Sequence, residues 1–295
     1  MFKTLSNSWA LAKECWEVLM HDKEMLVYPI LTSIVNIAIM AIAYFYLVGF
    51  GFFETETAFN YSREQWIVAG MLAVATIYAC HFSFSFFECA LVASAIKRLG
   101  GENPTLSYGL GIASDRIPQI AGWSFFVTIF GLLLAAVKSL FKSRWAQKAV
   151  GGIAETAWNV VTVFVLPLII VKKTSAFAAV KQSATLVKQK WGEAATLEIG
   201  FGSLTSIAAM PLAGLFMLAG FVQSASEVAS MAIMAIAIVL AVLLGIVFAA
   251  LSGISKAVLY NFATNGNIPD DVHGYTIDDL VVREDRDPEP FGRRT

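Results

Sequence analysis

Six long apolar runs separated by short polar stretches set the pattern of this chain. Residues 25–53, 66–96, 120–137, 151–171, 194–221 and 228–262 each hold enough consecutive apolar positions to cross the hydrocarbon of a bilayer as a helix. The expected fold is all-α, a polytopic membrane bundle of six transmembrane helices. In the first run Tyr28, Tyr44 and Tyr46 suit the membrane interfaces, Pro29 is tolerated in a first helical turn, and the central part holds Asn36 but no charge. Between the last two runs, VQSASE leaves room only for a tight hairpin.

Two cationic stretches carry the helical period without being long enough in apolar residues to cross. In residues 172–192, KKTSAFAAVKQSATLVKQKWG, a stripe of Phe177, Val180, Ala184, Val187 and Trp191 recurs at helical spacing, with Lys181, Lys188 and Lys190 beside or opposite it. Residues 2–20 repeat the design with Leu5, Trp9, Ala12, Trp16 and Leu19. A shift of 175 positions lays Phe2, Ser8, Leu11, Lys13 and Trp16 over Phe177, Ser183, Leu186, Lys188 and Trp191. Both stretches read as amphipathic surface helices, and a stripe of this kind serves equally for lipid contact or for capping the bundle. A second echo, at offset 165, lays Gly101 and Pro104 over Gly266 and Pro269. Together they suggest three units, each a surface helix plus a membrane hairpin, at 2–97, 104–173 and 174–264. These units make one membrane domain, 1–264, followed by a soluble charged tail, 265–295.

The remaining links are read from their capping and charge. In GGENPTLSYGLGIASDR, Asn103 can cap a short helix with Pro104 in its first position, and Leu106, Leu110, Ala113 and Ile117 form its stripe before Pro118 stops it. Residues 138–150 mix Lys138, Lys142, Arg144 and Lys148 with Leu140, Phe141 and Trp145. With six crossings this basic segment faces the outer side, so either it is an outer interfacial helix holding anionic headgroups or a neighbouring span is re-entrant. Glycines at 200, 202, 214, 220, 245 and 253 are expected to permit close helix crossings.

Composition makes the membrane reading firm. The chain is 57% hydrophobic and 15% charged, too little polar surface to cover a soluble fold of 295 residues. Its net charge of -1 hides a segregation: eight of the 22 acids follow Gly266, and fifteen of the 21 Lys and Arg fall on the side that holds both termini, against five on the other. By the positive-inside rule both termini are expected in the cytoplasm and the protein in the inner or cytoplasmic cell membrane. Membrane lipids are the expected partners, and nothing in the charge pattern points to nucleic acid. The N-terminal stretch contains Glu14 and Glu17 and lacks a small-residue cleavage pattern, which argues against a removed signal peptide. Cys15, Cys80 and Cys89 have neither metal-ligand nor disulfide-framework spacing, so no metal and no cofactor is expected.

Chemistry is then sought within the spans. Tyr78, His81, Ser85 and Glu88 are spaced by three, four and three on the second span and can share one interior face. Glu88 stands nine residues before Lys97, roughly 13 Å along a helix, and an ionised carboxylate at that depth needs a partner or a proton. Glu198 and Lys256, on the same membrane half, can supply it. Glu155, Asn159 and Thr162 form a separate stripe toward the outer half of the fourth span. Pro167 and Pro211 are the only positions that hint at a broken helix of the kind found at transporter sites.

The GGENPT loop and the ending AVLYNFATNGNIPDD, with Gly101, Pro104, Tyr260, Gly266 and Pro269, resemble a family of bacterial and archaeal six-helix integral membrane proteins of unknown function. That family is more distantly similar to the membrane domain beside glycerophosphodiester phosphodiesterases. The resemblance implies a six-helix fold and supplies no activity, substrate or cofactor. Two function classes follow. One is a membrane scaffold or assembly factor that docks a membrane protein partner through the surface helices and tail. The alternative is a transporter for a small solute or lipid, coupled to protons through Glu88. A lipid-modifying enzyme is disfavoured, because no catalytic constellation, nucleophile elbow or phosphate cradle is present in the sequence.

Overall fold

A computed structural model describes residues 2–52, 61–189, 191–224 and 226–265, and among them every regular element is helical. In chain order these are α1 (Phe2–His21), a 3-10 turn (Lys23–Leu26), α2 (Val27–Gly49), α3 (Arg63–Leu99), α4 (Leu106–Ser114) and α5 (Ile117–Ser139). Then come α6 (Arg144–Thr162), α7 (Val165–Lys172), α8 (Ala176–Gln189), α9 (Trp191–Val222) and α10 (Glu227–Asn265). Six stretches are long and apolar enough to cross a membrane: α2 with its preceding turn, α3, α5, α6 with α7, α9 and α10. The protein is a multi-pass, all-α membrane bundle. The tail beyond residue 265, with Gly266 and Pro269, lies outside the described residues.

The bundle is built around α3. Ser62 opens this helix with a reciprocal cap, its hydroxyl accepting from the Gln65 amide while the Gln65 side chain accepts from the Ser62 amide. Its C-terminal half is lined by small residues, and the run of Cys89, Ala90, Leu91, Val92, Ala93, Ser94 and Ala95 is buried. A thin, small-residue helix surface lets backbones approach closely in a medium where apolar packing against lipid gives no net drive. Accordingly α2, α4, α5, α7 and α10 all pack on α3. The closest approach is at Gly109 of α4, where a Cβ would lie 2.2 Å from Tyr28 Oη and 2.7 Å from the Ala90 carbonyl. Tyr28, expected to suit a membrane interface, is turned into the bundle. It is 1% exposed and ties three helices together, its hydroxyl 2.8 Å from Ser94 Oγ and 3.3 Å from the Leu106 carbonyl.

The glycines divide. Gly253 of α10 sits against Leu91, as a close crossing requires, whereas an added Cβ at Gly214, Gly220 or Gly245 would meet nothing within 4 Å. All three are exposed, so they mark outward-facing positions and not close crossings.

The loop after α3 caps differently from the sequence expectation. Thr105, not Asn103, is the N-cap of α4, its hydroxyl accepting from the Tyr108 amide at 3.3 Å. Asn103 instead accepts from Arg98 Nη1. Gly101 makes the preceding turn at φ +81, a conformation that favours glycine. Pro118 likewise does not stop a helix. It stands in the first turn of α5, where its missing amide costs nothing.

Residues 138–150 form no separate interfacial helix. Ser139 ends α5, Arg144 starts α6, and Lys138 Nζ pairs with Glu155 Oε1 at 2.6 Å. The hairpin is so short that its basic residues ride on the ends of two membrane helices.

The fourth span is broken. Val163 and Phe164 turn between α6 and α7, and Pro167 is the third residue of α7. A proline ring clashes with the carbonyl four residues earlier, here Val163, which places the break where it is seen. In α9 Pro211 lies inside an unbroken helix. The difference is Ser183 of α8, 0% exposed, whose hydroxyl donates to the Val161 carbonyl at 2.6 Å and accepts from the Phe164 amide at 3.2 Å. One side chain thus satisfies two of the backbone groups that the break releases.

The amphipathic helices are turned relative to their large-residue stripes. On α8 the buried line is Ala176, Ala179, Ser183 and Val187, while Phe177 is 67% exposed and stacks on Phe126. On α1 the buried line is Leu11, Cys15 and Leu19, packed on α9 and α10, while Trp9 and Trp16 are 66% and 44% exposed. On α8 small residues win the buried face because they let the helix lie close to its neighbours, on α1 two leucines and a cysteine fill it, and on both the aromatics are left for the surrounding lipid.

Candidate functional site

Three membrane helices and the break in a fourth line a half-open cavity of about 170 Å³ that mixes polar groups with apolar walls. From α3 it receives His81, Ser85 and Glu88, which their three- and four-residue spacing aligns on one face. From α10 it receives Lys256, and from α6 Asn159 and Thr162 beside the turn at Val163. Trp123 of α5 and Trp158 of α6 form an aromatic wall, their rings parallel within 3° at 6.0 Å, with Phe130 stacked on Trp158 at 3.9 Å.

The charged centre is a close ion pair. Lys256 Nζ donates to Glu88 Oε1 at 2.5 Å, across a sequence separation of 168 residues, with the two side chains 21% and 11% exposed. Such a pair, inside helices that cross a bilayer, has lost most of its hydration, so its mutual attraction and its hydrogen bond must replace the water. Lys256 has a further interaction besides this one.

His81 is oriented by a chain of hydrogen bonds. Thr128 Oγ1 donates to the Ser124 carbonyl at 2.8 Å, which commits its one proton. At 3.0 Å it therefore accepts from His81 Nδ1–H, which leaves Nε2 as the ring nitrogen outside this chain of bonds. The site then holds an acid, an ammonium, a base nitrogen and three neutral polar side chains around a space fit for a few water molecules or one small polar molecule.

The two stripes read from the sequence as separate are brought together here. His81, Ser85, Glu88, Lys256, Asn159 and Thr162 share the cavity. Tyr78 does not join them; its hydroxyl turns to the Ala121 carbonyl of α5 at 3.4 Å. Glu155 points away to Lys138. Glu198 and Trp191 lie on α9, their side chains outside the described residues. Sequence reasoning missed Thr128, Trp123 and Trp158. Thr128 sits in an apolar run where a threonine is ordinary, and only its meeting with His81 distinguishes it. No group of three or more His, Cys, Asp or Glu able to hold a metal is found among the described residues.

Residues 68–269 match the Family of unknown function (DUF6159), a span that contains every residue of the cavity. No curated protein and no solved structure matches the chain.

Proposed function

The chain belongs to that family of unknown function, and from its geometry we propose that it carries a small polar solute across the membrane, with Glu88 exchanging a proton during the cycle. The observation that supports this reading is the Glu88–Lys256 pair lining a polar cavity beside a helix break within the membrane. Discontinuous helices and ionisable groups at membrane depth are the features by which transport sites are built. Protonation of Glu88 weakens its hold on Lys256, and a solute that takes the carboxylate's place beside the ammonium binds as the proton is taken up; binding and proton uptake are coupled through one carboxylate. The orientation that goes with this reading has both termini in the cytoplasm of a cell membrane, on the strength of the charge bias. The three-unit plan stays part of it as an evolutionary frame. The expected likeness to the phosphodiesterase-associated membrane domain finds no support in the family match and contributes no chemistry to it.

The test is proton flux in liposomes that contain only this protein and a trapped pH-sensitive dye. Wild type under a pH gradient, with small amino acids, amines and polyols offered in turn, is expected to show solute-dependent proton entry, and Glu88→Gln to lose it. Equal flux from wild type and Glu88→Gln for every solute defeats the proposal. If in addition the gently purified protein retains a stoichiometric membrane protein partner, the scaffold reading takes its place.

A further inference from the structure

A second cavity, a groove of about 520 Å³, lies between α2, α3 and α10. That volume falls within the roughly 300–1,000 Å³ of small-molecule sites. Phe84, Phe87, Leu91, Val242 and Ile246 make its walls apolar. Its rim residues Ile37 and Met40 are 68% and 63% exposed on a helix that crosses the bilayer, so the groove opens sideways toward hydrocarbon. Gly245 lines it, and a Cβ there would touch nothing within 4 Å. The space is present because the helices stand apart at this level.

One face of α2 sets polar atoms into this apolar groove. The Thr32 hydroxyl donates to the Tyr28 carbonyl and the Ser33 hydroxyl to the Pro29 carbonyl, each at 2.9 Å. Both protons are committed, so these oxygens have only lone pairs left to offer. Asn36 Oδ1 is buried without a hydrogen-bond partner. Glu88 lines the same groove from α3, with Lys256 held on its Oε1 and a second carboxylate oxygen remaining. An ionised carboxylate only accepts. The oxygens gathered here therefore ask for a donor, and the buried Asn36 oxygen is costly until it has one.

We infer that the groove binds a lipophilic amine drawn sideways from the bilayer, its alkyl chain along the apolar walls and its ammonium head among Asn36, Thr32, Ser33 and Glu88. An ammonium brings three donors and no acceptor, which matches this lining. A bare hydrocarbon leaves Asn36 unpaired, and an anionic head adds a negative charge beside Glu88. The site rests on the groove and not on solute passage through the polar cavity, although Glu88 borders both.

The experiment uses the full chain in phosphatidylcholine nanodiscs, with radiolabelled dodecylamine at neutral pH as the probe and dodecanol and dodecyl sulfate as comparisons. Dodecylamine is expected to bind saturably, near one per chain, and to raise the unfolding temperature. Losing a charge-assisted hydrogen bond or the groove volume should weaken it about tenfold or more, in Asn36→Leu and in Gly245→Leu respectively. Ile37→Trp, which closes the groove from its exposed rim, is the second blocking variant should Gly245→Leu fail to fold. Equal uptake of all three amphiphiles would show simple partition into lipid and overturn the inference, as would wild-type binding by a folded blocking variant. Dodecanol binding as tightly as dodecylamine would overturn the assignment of an ammonium head. Proton flux measured on Gly245→Leu separates this site from the transport proposal, since the substitution leaves the polar cavity's lining untouched.

Discussion

Glu88 and Lys256 make the sharpest residue-scale case, because each is tolerable in the membrane chiefly through the other. Glu88→Gln leaves the Lys256 ammonium without its carboxylate, a loss on the order of 3 kcal/mol for a buried pair. Lys256→Met in the same chain removes the stranded charge and should recover part of it. A thermal-unfolding double-mutant cycle in detergent reads the coupling; additive effects would mean the two side chains do not interact. Glu14 on α1 provides a pH-dependent case outside the spans. Burial, and next the neighbouring Glu17, push its carboxyl above the ordinary carboxylate value. With the folded-state value raised, the favourable contribution is complete below the unfolded-state value and is lost as pH rises through the folded one. Glu14→Gln should therefore raise the unfolding temperature at pH 7, and the advantage should shrink as pH falls through the carboxylate range. An advantage that stays constant from pH 7 to pH 4 would mean the gain has another source.

At the scale of elements, the broken span depends on a helix from outside it. Ser183 of α8 makes hydrogen bonds to two of the backbone groups released by the turn between α6 and α7. Ser183→Ala leaves a buried carbonyl and a buried amide unpaired, at about 1–3 kcal/mol for each group left unsatisfied. Amide exchange at residues 161–165 should speed up in that variant more than exchange in the buried half of α3. Unchanged exchange there would show that the turn is held by Pro167 alone. The same docking explains why α8 is more than a surface helix: its small residues and its serine face inward, and Phe177 is left outward. Periodicity made α1 and α8 legible as amphipathic helices. It could not rank the two possible faces, since in a bilayer an aromatic residue is as well placed in lipid as in the bundle.

At the scale of the whole molecule, the predicted disposition has residues 172–192 on the cytoplasmic side with both termini and position 142 on the opposite side. Single cysteines introduced in a background without Cys15, Cys80 and Cys89 test it. Labelling of Leu11 and Val187 positions should be slow in intact and opened cells alike, because both are buried. A cysteine replacing Lys142 should react with an impermeant reagent from outside; reaction only after the cells are opened would invert the hairpin of α5 and α6. The charge bias motivates this assignment, and the short link between those helices leaves the basic residues no route to the other face.

The sequence by itself determined the class, the six membrane-length stretches and the two amphipathic helices, because length, hydrophobicity and period are properties of local runs of chain. It also singled out Glu88 and Lys256, because charge is rare and costly at that depth. The tertiary structure decided which residues meet. Asn159 and Thr162 join His81 and Glu88 because the turn at Val163 redirects the chain. Tyr78 leaves the site because the bundle offers its hydroxyl a carbonyl on α5. Thr128 enters because α5 passes close to α3 at His81. Contacts between helices many residues apart depend on how their faces are rotated against one another, and a pattern that repeats every 3.6 residues constrains that rotation only where one face is clearly polar.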